Sequence, residues 1–276
     1  KKKKKKKQKD KGNLHMAKRR RVRWDRILVT GLILFALIFM LYSCFSKDES
    51  GTDEPQNTTA TQAEITQPVK KFTVTLDAGH GGNDVGCHNG DETRLEKDDN
   101  LAITLAVQKE LQKFPNVEIL MTRSDDTFIS LENRCKVANE GHSDLFISFH
   151  RNSATEGNGV EIWINENSET GDALLASNIL AALDRVGVTK NRGTKEGYRD
   201  ADGKNYYVNR HTDMPSCLTE LGFLSNEEDN TYFDTKQTEY AKEIAQAIID
   251  TGKQLNLYKE EAAPAQSEPA STEATT

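Results

Sequence analysis

Phe72 to Gly90, FTVTLDAGHGGNDVGCHNG, is the stretch from which the rest of the chain is read. Phe72, Val74 and Leu76 alternate with Thr73, Thr75 and Asp77, the period of a half-buried strand. The run then breaks into Gly79-His80-Gly81-Gly82, so a strand delivers one imidazole into a glycine-rich turn. Such a turn lies at the carboxyl edge of a sheet, where open α/β sheets keep their sites. Two later stretches have the same form. Asp144 to Asn152, DLFISFHRN, and Pro215 to Asn226, PSCLTELGFLSN, are short apolar runs that lead to His150 and Glu220.

Between these strands the pattern changes to that of helices. Residues 95–114 carry Leu101, Ile103, Leu105, Ala106 and Leu111 on one predicted face and stop at Pro115 and Asn116. VEILMT, residues 117–122, reads as a strand, and residues 130–140 as a short helix capped by Ser130. Residues 145–149 form a continuous apolar strand covered on both faces, and residues 159–164 an alternating strand nearer an edge. A helix over 172–186 places Leu174, Leu175, Ile179, Leu180 and Leu183 on its stripe. Residues 187–203 read as a surface loop, 206–208 and 216–220 as the last strands, and 238–255 as a terminal helix through Ala241, Ile244, Ala245, Ile248 and Ile249. Alternating strands and helices predict an α/β fold over 71–257, a single three-layer domain with a mixed, largely parallel sheet flanked by helices. With 36% apolar residues in a 276-residue chain, a core of that size can be filled.

The ends have a different composition. Residues 1–26 hold fifteen Lys and Arg against Asp10 and Asp25, so they stand at +13 and leave the remainder at −19 of the net −6. A basic block directly before an apolar run is a topogenic signal, and no nucleic-acid partner is expected. Ile27 to Phe45 is such a run, uncharged and just long enough to cross a hydrocarbon core of about 30 Å. It predicts an N-terminal transmembrane helix, with the cytoplasmic arm 1–26 before it and everything from residue 46 outside. A cleaved signal starting at Met16 is the competing reading, which would leave the domain secreted. Residues 46–70 make a polar linker, and 258–276, rich in Ala, Pro, Ser, Thr and Glu, a disordered tail. Cys44 falls in the apolar run, so Cys87, Cys135 and Cys217 allow at most one disulfide.

His80, His150 and Glu220 each end a predicted strand, and Glu96 opens the helix after the glycine turn. Two imidazoles and a carboxylate with a fourth position open to water is the pattern of a hydrolytic zinc site. His80, Glu96 and His150 are the candidate ligands and Glu220 the candidate base. The motifs TLDAGHGG, RLEKDDNLAI, MTRSDDTFISLENRCKVAN, LFISFHRNS, GVEIWI and MPSCLTELGFLSN, in this order over about residues 72–255, resemble those of the zinc-dependent N-acetylmuramoyl-L-alanine amidases of the amidase 3 family. That resemblance implies Zn2+ on His80, Glu96 and His150, catalysis by Glu220, and hydrolysis of the bond between N-acetylmuramic acid and L-alanine in peptidoglycan. It also implies a bacterial, extracytoplasmic setting, here for a membrane-anchored monomer. Ala78, Arg151, Ser153, Cys217 and Thr219 depart from the family's usual residues but leave the four site positions intact. An idle wall-binding protein and a hydrolase of another peptidoglycan amide are the alternatives.

His88, His142 and His211 fall outside the motifs and read as loop residues. Arg123 and Arg134 read as structural ties to carboxylates such as Asp126. Asn152 either orients His150 or lines a groove.

Overall fold

The computed structural model describes residues 70–168, 170–197 and 205–260. The basic arm, the apolar run 27–45, the linker to residue 69 and the tail from residue 261 lie outside the described residues. Among the described residues no helix is long and apolar enough to cross a membrane.

Phe72–Ala78 forms β1, and it is buried on both faces rather than on alternate residues. Its polar alternants are covered because they find partners. Thr75 Oγ1 lies 2.6 Å from Ser143 Oγ, and Asp77 accepts hydrogen bonds from Thr122, Arg134 and Ser148, each at 2.6 Å. A buried carboxylate is tolerated only with such pairing.

β2 (Val117–Met121) and β3 (Leu145–Asn152) run parallel to β1 on either side, and β6 (Ser216–Phe223) runs parallel to β3. β4 (Val160–Ile164) is antiparallel to β6 and parallel to β5 (Asn191–Glu196). The resulting six-stranded sheet has the order β2-β1-β3-β6-β4-β5. Five helices accompany it among the described residues: α1 (Glu96–Leu111), α2 (Leu131–Glu140), α3 (Thr170–Val186), α4 (Tyr207–His211) and α5 (Glu227–Gln254). Ile103 of α1, Ile179 of α3 and Ile248 of α5 share one apolar core with Leu76, Ile147 and Ile162 of the sheet. A smaller cluster joins Cys135 and Ala138 of α2 and Val208 of α4 to Phe146 and Leu218. The three-layer, mixed and largely parallel arrangement predicted from the sequence is therefore present.

Several details differ. Tyr206–Val208, expected as a strand, leads into and begins α4, and the expected loop 187–203 contains β5. β5 is NRGTKE, half exposed with no residue buried, and carries no apolar alternation because it is the last strand of the sheet. Charged residues on such an edge discourage further pairing. The terminal helix starts at Glu227, eleven residues before the expected start at 238; Asn226 caps it by accepting from the Asp229 amide at 3.0 Å. The inner face of α1 runs through Glu96, Asp99, Asn100, Ile103, Thr104, Val107 and Leu111, leaving Leu101 and Leu105 partly exposed. Its first turn turns polar groups inward, which rotates the buried stripe. Tyr258, assigned to the tail, is buried and packs edge-on against Phe72. Cys87, Cys135 and Cys217 are free thiols, the last two buried.

Arg123 and Arg134 are structural, but Asp126 is held by Lys97. Arg123 donates instead to the carbonyls of Ala78, Gly79 and Lys97. Burial pushes the Asp77 carboxyl up, yet the Arg134 guanidinium and the three hydrogen bonds outweigh it and hold the group below its ordinary value. Such a group stabilises the fold above its unfolded pKa, and that contribution disappears as pH falls through the depressed folded value. Asp77→Asn should cost about 3–5 kcal/mol near neutrality by stranding the Arg134 charge. Chemical denaturation from about pH 6 to about pH 2 should show the gap between wild type and variant narrowing towards the acid end.

Candidate metal centre

His80 follows β1 with φ 60, a left-handed conformation that few non-glycine residues adopt. The turn is locked on both sides. Gly81 N donates to Asp84 O at 2.8 Å, Asp84 N donates to Gly81 O at 3.1 Å, and Arg134 Nη2 donates to His80 O at 2.7 Å. Such strain, on the order of 1–3 kcal/mol, persists where a surrounding structure imposes it. His80 Nδ1 lies 2.9 Å from Asp84 Oδ1 and its Nε2 lies 3.3 Å from Glu96 Oε2, so each ring nitrogen faces a carboxylate.

Glu96 is the first residue of α1 and is 4% exposed. Its Oε1 lies 2.8 Å from His150 Nδ1 and accepts from Arg151 N and Asn100 Nδ2; its Oε2 accepts from Cys87 N at 2.9 Å. The helix N-terminus adds a favourable field. Burial pushes the carboxyl up, but hydrogen bonds and charge from His150 and His80 bring it well below the ordinary value. Burial works the other way on His80, where contacts with Glu96 and then Asp84 outweigh it and raise the imidazole pKa.

His150 ends the apolar run of β3, and its β6 partner in register is Glu220. Adjacent residues in register share a face of the sheet, so Glu220, 6% exposed, stands beside His150 at the same edge. Ligand atoms of His80, Glu96 and His150 all lie within 4.8 Å of one another. Two glycines make this convergence possible. A Cβ on Gly79 would overlap the His150 imidazole, and one on Gly86 (φ +68) would lie 2.6 Å from Glu96 Oε2 and 2.7 Å from His80 Cδ2.

The four predicted site residues therefore line one cleft of about 680 Å3, whose walls include Phe128, Leu131, Tyr206 and Tyr207. His88 is exposed and bonded to Asn89 O, and His211 stacks on Tyr207, so neither joins the cluster. Asn152 donates to Glu161 Oε1 at 3.0 Å. Sequence reasoning missed Asp84 and Asn100. The spacing of Glu96, Asp99 and Asn100 at i, i+3 and i+4 was the available signal for the second. Arg151, unusual for the family, is wholly buried, where it bonds Asp99 of α1 and Asn230 of α5 and lies over the Phe233 ring.

Two imidazoles and an ionised carboxylate gathered at a strand edge, with a further carboxylate beside them, make this an α/β domain whose cleft holds a cluster that could bind a metal ion. Residues 74–250 match the amidase 3 family, described as N-acetylmuramoyl-L-alanine amidase, and the chain belongs to that family. A probable cell wall amidase, LytH, of Staphylococcus epidermidis is 34% identical over 205 residues, covering 72% of this chain and 63% of its own length. An uncharacterized protein of Bacillus subtilis, YqiI, is 36% identical over 196 residues, or 70% of this chain and 89% of that protein. Among solved structures, the catalytic domain of CwlV, an N-acetylmuramoyl-L-alanine amidase of Bacillus (Paenibacillus) polymyxa, superimposes with a TM-score of 0.59 at 34% identity, covering 67% of this chain and 99% of that one. The chain thus spans somewhat under two thirds of the staphylococcal relative.

Gly86→Ala should displace Glu96 and His80 and lower divalent-metal binding, read by calorimetric titration, on the order of 100-fold. Gly90→Ala, where an added Cβ meets nothing within 4 Å, should leave it unchanged.

Proposed function

We propose that this chain hydrolyses the amide between N-acetylmuramic acid and the L-alanine of a peptidoglycan stem peptide, using zinc held by His80, Glu96 and His150. The observation that carries the proposal is the meeting of those three ligand atoms within 4.8 Å, with Glu220 in register beside His150. The donor set fits the ion: two imidazole nitrogens and one carboxylate kept ionised, in a cradle that a Cβ at Gly79 or Gly86 would fill. When bound there, zinc supplies Lewis acidity that lowers the pKa of a water to near neutrality and offsets negative charge on a carbonyl oxygen.

The chain's own residues do the rest. Asp84 fixes the His80 ring and the proton on its Nδ1. Asn100 and the Cys87 and Arg151 amides hold the Glu96 carboxylate in one orientation. Glu220, on the wall of the same cleft, accepts a proton from the attacking water and returns it to the departing alanine nitrogen. The scissile carbonyl must lie over the edge of β3 and β6, since both groups rise there.

The same proposal places the domain outside a bacterial membrane, tethered by residues 27–45 and the polar linker. It rests on the basic block before the apolar run and the acidic stretch after it. A monomer suffices, because all four site residues come from one chain.

Purified muropeptides incubated with the zinc-loaded chain should release free glycan and intact stem peptide, and a chelator should stop the release. Cleaved stem peptide would instead support hydrolysis of another amide, and no product an idle binding role. Glu220→Gln should lower kcat about 10²–10⁴-fold while keeping one zinc per chain by elemental analysis.

A further inference from the structure

We infer that the sheet surface beyond Glu220, on β4 and β5, forms a subsite for a carboxylate carried by the stem peptide about three residues beyond the scissile amide. This rests on the amidase function proposed above and names the part of the substrate that the site selects.

Register pairs Glu220 of β6 with Glu161 of β4, so these side chains continue the row begun by His150. Glu161 is 3% exposed and gathers three donors: Asn152 Nδ2 at 3.0 Å and Trp163 Nε1 at 3.2 Å on Oε1, and Arg192 Nε of β5 at 2.7 Å on Oε2. Arg192 is pinned further by the Phe223 ring, 5.1 Å from its Cζ. The guanidinium is thus set in place by a buried partner, while its Nη2 makes no hydrogen bond among the described residues. Lys195, in register with Trp163, makes no ion pair among the described residues. Both cations line a recess of about 300 Å3 together with Asn152, Trp163 and Phe223.

Cations elsewhere in the cleft are already engaged. Arg134 gives its nitrogens to Asp77 and to the carbonyls of Ala78, His80 and Ile129, and Arg151 gives its own to Asp99, Asn230 and Gly222 O. The cleft itself presents Phe128, Leu131 and Tyr207, which suit a neutral ligand better than an anion. Glu156, exposed in the recess and without an ion pair among the described residues, disfavours a polyanion such as a phosphate chain and leaves a place for a single carboxylate. From Glu220 to β5 is two strand spacings, about 10 Å, which an extended peptide covers in about three residues. Arg192 and Lys195 would meet the carboxylate with charge-assisted hydrogen bonds.

The test uses the zinc-loaded full chain and an N-acetylmuramoyl tripeptide, either with its terminal carboxylate free or as the amide. Wild type should prefer the acid by roughly tenfold in kcat/KM, the effect of one charge-assisted bond, with the difference in KM. Lys195→Gln, a change at a partly exposed side chain, should bring the acid close to the amide. Lys242→Gln, on the far side of the sheet, should keep the preference. Equal turnover of acid and amide by wild type would overturn the inference, as would a preference that survives Lys195→Gln. Failure to cleave either compound would overturn the amidase function itself, and the subsite with it.

Discussion

Asp77 and Arg134 meet at 2.6 Å inside the sheet, both almost wholly buried, and the rest of the site hangs from that contact. Two desolvated charges cost several kcal/mol each unless every lone pair and proton is used. Here they are used. Thr122 and Ser148 complete Asp77, while Arg134 also donates from Nη1 to Ala78 O, from Nε to Ile129 O and from Nη2 to His80 O. The pair therefore ties α2 to β1, β3 and the end of β2, and grips the left-handed turn that aims His80. Folding energy and ligand placement are coupled through one guanidinium.

The second element of design is a close approach of backbone and ring. Parallel register puts the last residues of β1, β3 and β6 side by side, but register alone brings side chains only to strand spacing. The remaining distance closes because Gly79 has no Cβ to collide with His150. Glu96 reaches the same point from the opposite direction, carried by the first turn of α1 and steadied by Asn100 one turn later. Three elements distant in sequence thus supply one electronegative pocket, and each is held by contacts of its own.

Much of this was legible beforehand. Apolar runs ending in His80, His150 and Glu220 mark strand ends whatever the topology, because a strand's polar functional residue is most readily placed where burial stops. Glu96 was legible through the motif around it. β5 was not: a polar edge strand has no apolar face to write into the sequence, and its Arg192 and Lys195 look like loop residues until Glu161 and Trp163 are placed beside them. The early start of α5 was written in Asn226 and the acidic residues after it, yet the first turns lack the apolar stripe that marks the later ones. Asp229 explains why: its carboxylate faces inward to accept from the amides of Gly159 and Phe223. Polar groups that do structural work are the ones hydropathy reading misplaces, as Asp77 also shows.

The three cysteines of the described residues, none of them paired, carry a last consequence. Burial pushes all three thiols upward, Cys135 to about 11, so near neutrality they stay almost wholly protonated. Such sulfurs are slow to meet peroxide or a foreign disulfide. Among the described residues the core is thus closed by packing and hydrogen bonds alone, and its sulfurs are poor nucleophiles.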